Sequence, residues 1–139
     1  MADAVTSQTL SDGDRIAVVK FTNISDGSGE ASVKKVDISA LAASVTTGAT
    51  PARATIEQVW YDIGGMRVAL EWNATTNVVA AVLGGSAAAG NVSGYMDFRS
   101  FGGIKNTEAS GVDGDIDLTT HGHTSADHYT IVLQLRKSY

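Results

Sequence analysis

The chain has 139 residues, no cysteine, 43% hydrophobic and 18% charged residues, and a net charge of -5. That length fits a single domain, which buries about 68% of its unfolded-chain surface and needs no disulfide staple. The charge argues against non-specific nucleic-acid binding, which relies on cations that neutralise phosphates. The start, Met1-Ala2-Asp3-Ala4-Val5-Thr6, lacks a basic segment followed by an apolar run, so no secretory signal is expected. No stretch reaches the ~18 apolar residues of a membrane helix, and neither a membrane nor a nucleic-acid partner is expected.

Residues 1–14 are small and polar and end in Ser11-Asp12-Gly13-Asp14, which predicts an extended N-terminal arm before a domain spanning 15–139. Arg15 to Ile24 is a β-branched run and the first predicted strand. Ser25-Asp26-Gly27-Ser28-Gly29-Glu30 reads as a loop, and Ala31 to Leu41 as a second strand with Val36 and Ile38 opposite Lys35 and Asp37. Ala42 to Arg53 holds the only proline, Pro51, and connects two sheets.

Ala54 to Trp72 is the organising stretch. Met66, Val68, Leu70 and Trp72 alternate with Arg67, Ala69 and Glu71, the period of a half-buried strand. Upstream, Ile56 and Trp60 share one face, and Val59 and Tyr61 the other. Gly64-Gly65 supplies positive φ for a tight hairpin between the halves. Both tryptophans therefore belong to a predicted core hairpin, with an exposed aromatic platform as the sharper alternative.

Val78 to Leu83 is an apolar run that suits a strand or a buried helical turn, and Gly84 to Gly94 reads as a loop. Met96 and Phe98 alternate against Asp97 and Arg99, and Gly102 to Gly114 is a further loop. Ile116, Leu118 and Thr120 line one face, and Tyr129, Ile131, Leu133 and Leu135 line one face of a closing strand. About eight strands without an amphipathic helix predict an all-β, single-domain antiparallel β-sandwich of jelly-roll type.

Two clusters are candidates for chemistry. His121 and His123, with His128 nearby, contain a His-x-His pair similar to half of a cupin metal motif. The Glu that should follow is missing and Gly122 to Asp127 reads as a hairpin turn, so no metal is expected there. Asp113, Asp115 and Asp117 would line one face of a strand as a solvated, edge-protecting row. Leu118 and Thr124 stand where a calcium loop wants Gly and Glu, so that template fails. Ser25 to Gly29 is no phosphate loop, because no Lys-Ser/Thr follows, and no G-x-S-x-G elbow occurs. The expectation is a non-enzyme with no cofactor and no catalytic residue. Low charge with abundant Ala, Gly, Ser and Thr suits a protein packed against neighbours.

Several segments carry a likeness. Arg15-Ile16-Ala17-Val18-Val19-Lys20-Phe21-Thr22-Asn23, Lys34-Lys35-Val36-Asp37, Val59-Trp60-Tyr61 and Leu70-Glu71-Trp72 are four of them. Asp97-Phe98-Arg99-Ser100-Phe101-Gly102-Gly103-Ile104-Lys105-Asn106 follows, then Gly114-Asp115-Ile116-Asp117-Leu118-Thr119-Thr120, Gly122-His123-Thr124-Ser125 and Tyr129-Thr130-Ile131-Val132-Leu133. Over most of its length the chain resembles small structural proteins of tailed bacteriophages. The resemblance implies a virion component, a capsid decoration (cement) protein partnered by the major capsid protein and by its own copies as a trimer. A tail or neck component, or a glycan-binding module using Trp60, Tyr61 or Tyr95, are the alternatives. No functional residue carries over.

Overall fold

The computed structural model describes residues 3–84, 91–105 and 113–139. Among the described residues nine strands run β1 Ala4–Asp12, β2 Ile16–Asp26, β3 Val33–Val36, β4 Arg53–Gly64, β5 Arg67–Trp72, β6 Val78–Gly84, β7 Asn91–Asp97, β8 Ile116–His121 and β9 Ser125–Ser138. They form a five-stranded sheet ordered β1-β2-β9-β4-β7 and a four-stranded sheet ordered β3-β8-β5-β6. Leaving β1 aside, β2 pairs antiparallel with β9, β3 with β8, β4 with β7 and β5 with β6. Four nested pairs, dealt alternately to two facing sheets, are the wrapping of a jelly roll. The eight strands expected are therefore present, and β1 is added to the edge of one sheet.

The core lies between the sheets. Tyr129, Ile131, Leu133 and Leu135 of β9 meet Val68, Leu70 and Trp72 of β5 and Ile116 and Leu118 of β8, all fully or almost fully buried. Each such side chain contributes about 1.5–3 kcal/mol relative to exposure. Val78 to Gly84 resolves as strand β6. The predicted second strand is divided: β3 ends at Val36, and Ile38–Ala40 form a 3-10 turn capped by Asp37 Oδ1, which accepts from Ser39 N at 3.1 Å. That capping holds the Asp37 carboxyl below the ordinary carboxylate range.

The stretch around Gly64-Gly65 departs from expectation. β4 belongs to the five-stranded sheet and β5 to the four-stranded one, so the glycines turn a corner across the sandwich and close no hairpin. Gly65 has φ +80, and a Cβ there would meet Asp127 Oδ1 at 2.2 Å, so the corner needs glycine twice over. The register of β4 against β9 also shifts between Ile56 and Gln58. The bulge at Glu57 moves Trp60 to the outer face while Ile56 stays inside, so these two do not share a face. The loops expected at Gly84 to Gly94 and Gly102 to Gly114 fall in large part outside the described residues, and Asn91 to Asp97 is β7.

Candidate interaction surfaces

The bulge places an aromatic pair on the open face of the five-stranded sheet. Trp60 and Tyr95 are cross-strand partners on β4 and β7, with ring centroids 5.2 Å apart and planes at 26°. They are 37% and 50% exposed. Gln58 Nε2 donates to the Tyr95 hydroxyl at 2.6 Å and fixes the outer ring. Beside them Glu57 accepts from Gln134 Nε2 and Arg136 Nη1, both at 3.3 Å. Asp97 accepts from Arg99 Nε at 2.9 Å and Nη2 at 2.7 Å. The Arg99 guanidinium drives the Asp97 carboxyl well below its usual range. Tyr61, offered by the sequence as an alternative platform residue, packs against the core from the other face. The pair presents aromatic surface flanked by amides and carboxylates.

A second surface is the edge made by β1. All nine of its residues are exposed, and among the described residues it pairs with β2 alone, from Ala4 opposite Ile24 to Asp12 opposite Ala17. The arm expected over residues 1–14 is thus a strand along Ala4–Asp12, held at both ends by carboxylates. At one end Asp3 Oδ2 accepts from Asn23 Nδ2 at 2.9 Å. Its Oδ1 accepts from Asp26 N at 3.1 Å, Gly29 N at 3.2 Å, Ser28 Oγ at 3.3 Å and Ser25 Oγ at 3.4 Å. The Ser25–Gly29 loop is an anion nest filled by the protein's own Asp3 carboxylate. Burial alone would raise the Asp3 pKa, but the bonds from Asn23, Asp26 and Gly29 outweigh it and hold it at about 2. At the other end Asp12 Oδ1 lies 2.7 Å from Lys137 Nζ, whose side chain is fully buried, while Oδ2 accepts from Ala42 N at 2.7 Å. In mid-strand the Thr6 and Thr22 hydroxyls bond to each other.

Behind the Asp3 nest lies a buried polar cluster. Glu30 Oε2 is 2.5 Å from Lys35 Nζ, with both side chains almost completely buried. Glu30 Oε1 accepts from the Tyr129 hydroxyl at 2.5 Å and from Asn23 Nδ2 at 2.7 Å. Burial, reinforced by the bond to Glu30, drives the Tyr129 phenol far above its ordinary range. Carboxylate, ammonium and phenol stand side by side, but they are sealed in the sandwich and satisfy one another. A cavity of about 410 Å³ lined by Asp14, Arg15, Ser44, Thr46 and the Arg136–Tyr139 segment lies elsewhere, and Lys137 and Arg136 on its wall are paired with Asp12 and Glu57.

The histidines separate. His121 ends β8 and is exposed, and His123 sits in the following loop with Nδ1 3.2 Å from Thr120 Oγ1. A Cβ on Gly29 would fall 2.1 Å from the His123 ring, so the imidazole packs directly on that glycine. His128 lies on β9 against Gly64. The segment Gly122 to Asp127, expected to be a hairpin turn, is a crossing between sheets: residues 122–124 join β8 of one sheet to β9 of the other, and β9 has begun at Ser125. Among the described residues no three His, Asp or Glu side chains are grouped to hold a metal ion.

The aspartates overturn the solvated-edge expectation. β8 lies between β3 and β5, so it is no edge, and Asp115 and Asp117 are buried while Asp113 is exposed. Asp115 Oδ1 accepts from Ile38 N at 2.9 Å and Oδ2 pairs with Lys34 Nζ at 2.7 Å. The Asp115 partner raises the Lys34 pKa. Asp117 Oδ2 accepts from Asn73 Nδ2 at 2.8 Å and Asn77 Nδ2 at 3.0 Å. Asp113 Oδ1 accepts from Asp115 N at 3.0 Å. These acids tie loops to the four-stranded sheet.

Sequence inspection missed Asp3, Asp12, Glu30, Lys35 and Lys137. Asp12 and Glu30 sit among Ser, Gly and Asp as ordinary turn and loop charges do, and only Lys35 interrupts an alternating strand, where a charge is costly if buried.

No family model matches the chain, and no curated protein matches it. Among solved structures it is similar to a carbohydrate-binding module of family 29, at 7% identity and TM-score 0.36, over 96% of this chain and 89% of that one. A variant of the module CBM29-2, described as probing ligand recognition, matches at 7% identity and TM-score 0.36 over 96% and 93%.

Proposed function

We propose that the chain is a structural protein of a bacteriophage virion, a decoration (cement) protein that binds the outer capsid surface and stabilises the shell. It acts by burial and backbone pairing with the major capsid protein, as a homo-oligomer, with a trimer favoured. The observation that supports this most is β1. An edge strand is ordinarily guarded by Lys, Pro or a short length. β1 runs nine residues, Ala4 to Asp12, with no Lys, Arg or Pro, and no other described strand pairs with its outer edge. The register shift between Thr9 and Ser11 interrupts the edge only near its end, and the regular, uncharged stretch from Ala4 to Thr9 suits a chain that pairs with neighbours by strand addition. The resemblance of Arg15 to Asn23 and Tyr129 to Leu133 to phage structural proteins points the same way.

The test is co-sedimentation with expanded capsids that lack the protein, followed by heating of the particles. Recruitment with raised heat resistance is expected. Capsids that neither recruit the chain nor gain heat resistance would move the assignment to the tail or neck.

A second reading, a glycan-binding β-sandwich module, has one observation in its favour: the exposed Trp60–Tyr95 pair flanked by Gln58, Gln134 and Glu57. Aromatic surface beside fixed polar groups fits a sugar ring and its hydroxyls. A glycan array with the parent and a Trp60→Ala variant tests it, and binding that ignores the substitution would remove the platform from consideration.

A further inference from the structure

We infer that β1 is an exchangeable strand, and that the Ser25–Gly29 nest and the free edge of β2 are the receptor for β1 of a second copy of this chain. The inference rests on the reading of the protein as a multi-copy component, and its experiment needs no shell, so either can fail without the other.

The contacts of β1 divide cleanly. None of its side chains belongs to the core cluster, and its two large apolar residues, Val5 and Leu10, are half exposed, so the sandwich keeps its core when the strand leaves. What holds it is the ladder to β2, the Thr6–Thr22 hydroxyl pair, Asp3 in the nest and Asp12 on Lys137. Every one of these lies between β1 and the body. Only Gly13, Asp14 and Arg15 join the two, in a tight turn closed by Gly13 N donating to Ile16 O at 2.8 Å. Asp14 stays with the body, since its Oδ1 accepts from Val45 N at 2.9 Å and its carbonyl accepts from the Tyr139 hydroxyl. Opening at Gly13 therefore releases the strand and leaves its receptor intact. A neighbour's β1 can make the same bonds in the same register, because a carboxylate marks each end. Exchange of an identical element is a low-cost route to association, and short hinges favour it.

The receptor also discriminates. Two backbone N–H groups, two hydroxyls and one amide converge on the Asp3 carboxylate, so the nest selects a strand that begins with an acid. Lys137 is buried and demands an anion at the other end.

Because the chain has no cysteine, two introduced cysteines report the connectivity alone. Thr6 and Thr22 are directly opposed across the ladder. A Thr6→Cys/Thr22→Cys double variant, oxidised under native conditions, should run as a covalent multimer on a non-reducing denaturing gel. In parallel, light scattering of the unmodified full-length chain should give a multiple of 14.4 kDa. Deleting residues 1–10, which spares Asp12 for Lys137, should return the mass to a single folded copy. Asp3→Asn removes the same bonds from the closed copy and from the exchanged pair, so the degree of association should stay nearly unchanged, and a marked fall in mass would overturn exchange in favour of a contact made only between copies. Internally cross-linked single chains would overturn the inference. So would a full-length chain that stays a single copy at every concentration, or an oligomer that survives the deletion.

Discussion

β9 and β1 belong to one sheet and make the same kind of ladder, yet they stand at opposite ends of the energetic scale. β9 runs from Ser125 to Ser138, lies between β2 and β4, and buries every second side chain from Tyr129 to Leu135. β1 runs from Ala4 to Asp12, has one neighbour among the described residues, and places no side chain in the core. Hydrogen bonds contribute about 0.5–1.5 kcal/mol each because water competes for them, whereas burial of a large apolar side chain adds about 1.5–3 kcal/mol. β9 therefore defines the domain. β1 is attached to it by its backbone and two charged ends, which is what a segment that serves a partner requires.

The largest effect is expected at the centre of β9. Leu133→Asp places an unpaired charge among core side chains, a loss beyond about 4 kcal/mol, and little soluble folded protein should result. A variant melting within a couple of degrees of the parent would erase the contrast between the two strands.

Next comes the cluster behind the nest. Glu30→Gln leaves the Lys35 ammonium buried without its counter-ion, a cost of about 3–5 kcal/mol and a fall in melting temperature of about 10 °C or more. A Glu30→Leu/Lys35→Met double variant should recover much of that loss, because matched apolar groups remove both desolvation costs.

Acid sharpens the comparison from the β1 side. The Asp3 pKa is depressed from 3.8 to about 2, so its contribution is complete above the ordinary value and lost as pH falls through about 2. Amide exchange of Ala4 to Asp12 should rise over that window in the parent, while an Asp3→Asn variant, already without the charge, should exchange faster and show no step there. A step retained in the variant would dissociate β1 from the Asp3 latch.

The smallest effect is at the surface pair. Trp60→Ala removes an exposed ring stacked on Tyr95 and should cost about 1 kcal/mol or less in stability. A loss comparable with that at Leu133 would mean that the outer face supports the fold as the core does.

Much of the fold was legible because alternation reports directly which side of a strand is apolar. Met66 to Trp72, Ile116 to Thr120 and Tyr129 to Leu135 all face as their pattern requires. Alternation is silent on which sheet receives a strand, so Gly64-Gly65 reads equally well as a hairpin or as a corner, and only the packing of β4 against β9 and of β5 against β8 decides. It is also silent on an added residue: the bulge at Glu57 carries Trp60 outward, and nothing local marks it. The polar site was the least legible. The fate of a carboxylate depends on donors that the fold delivers from far along the chain, as Asn73 and Asn77 reach Asp117 and Asn23, Asp26 and Gly29 reach Asp3. Local composition determined the strands and their inner faces. The partners of the charges, and with them the division between a rigid sandwich and a latched edge strand, were decided by tertiary structure, because electrostatic pairing acts through space and leaves no period in the sequence.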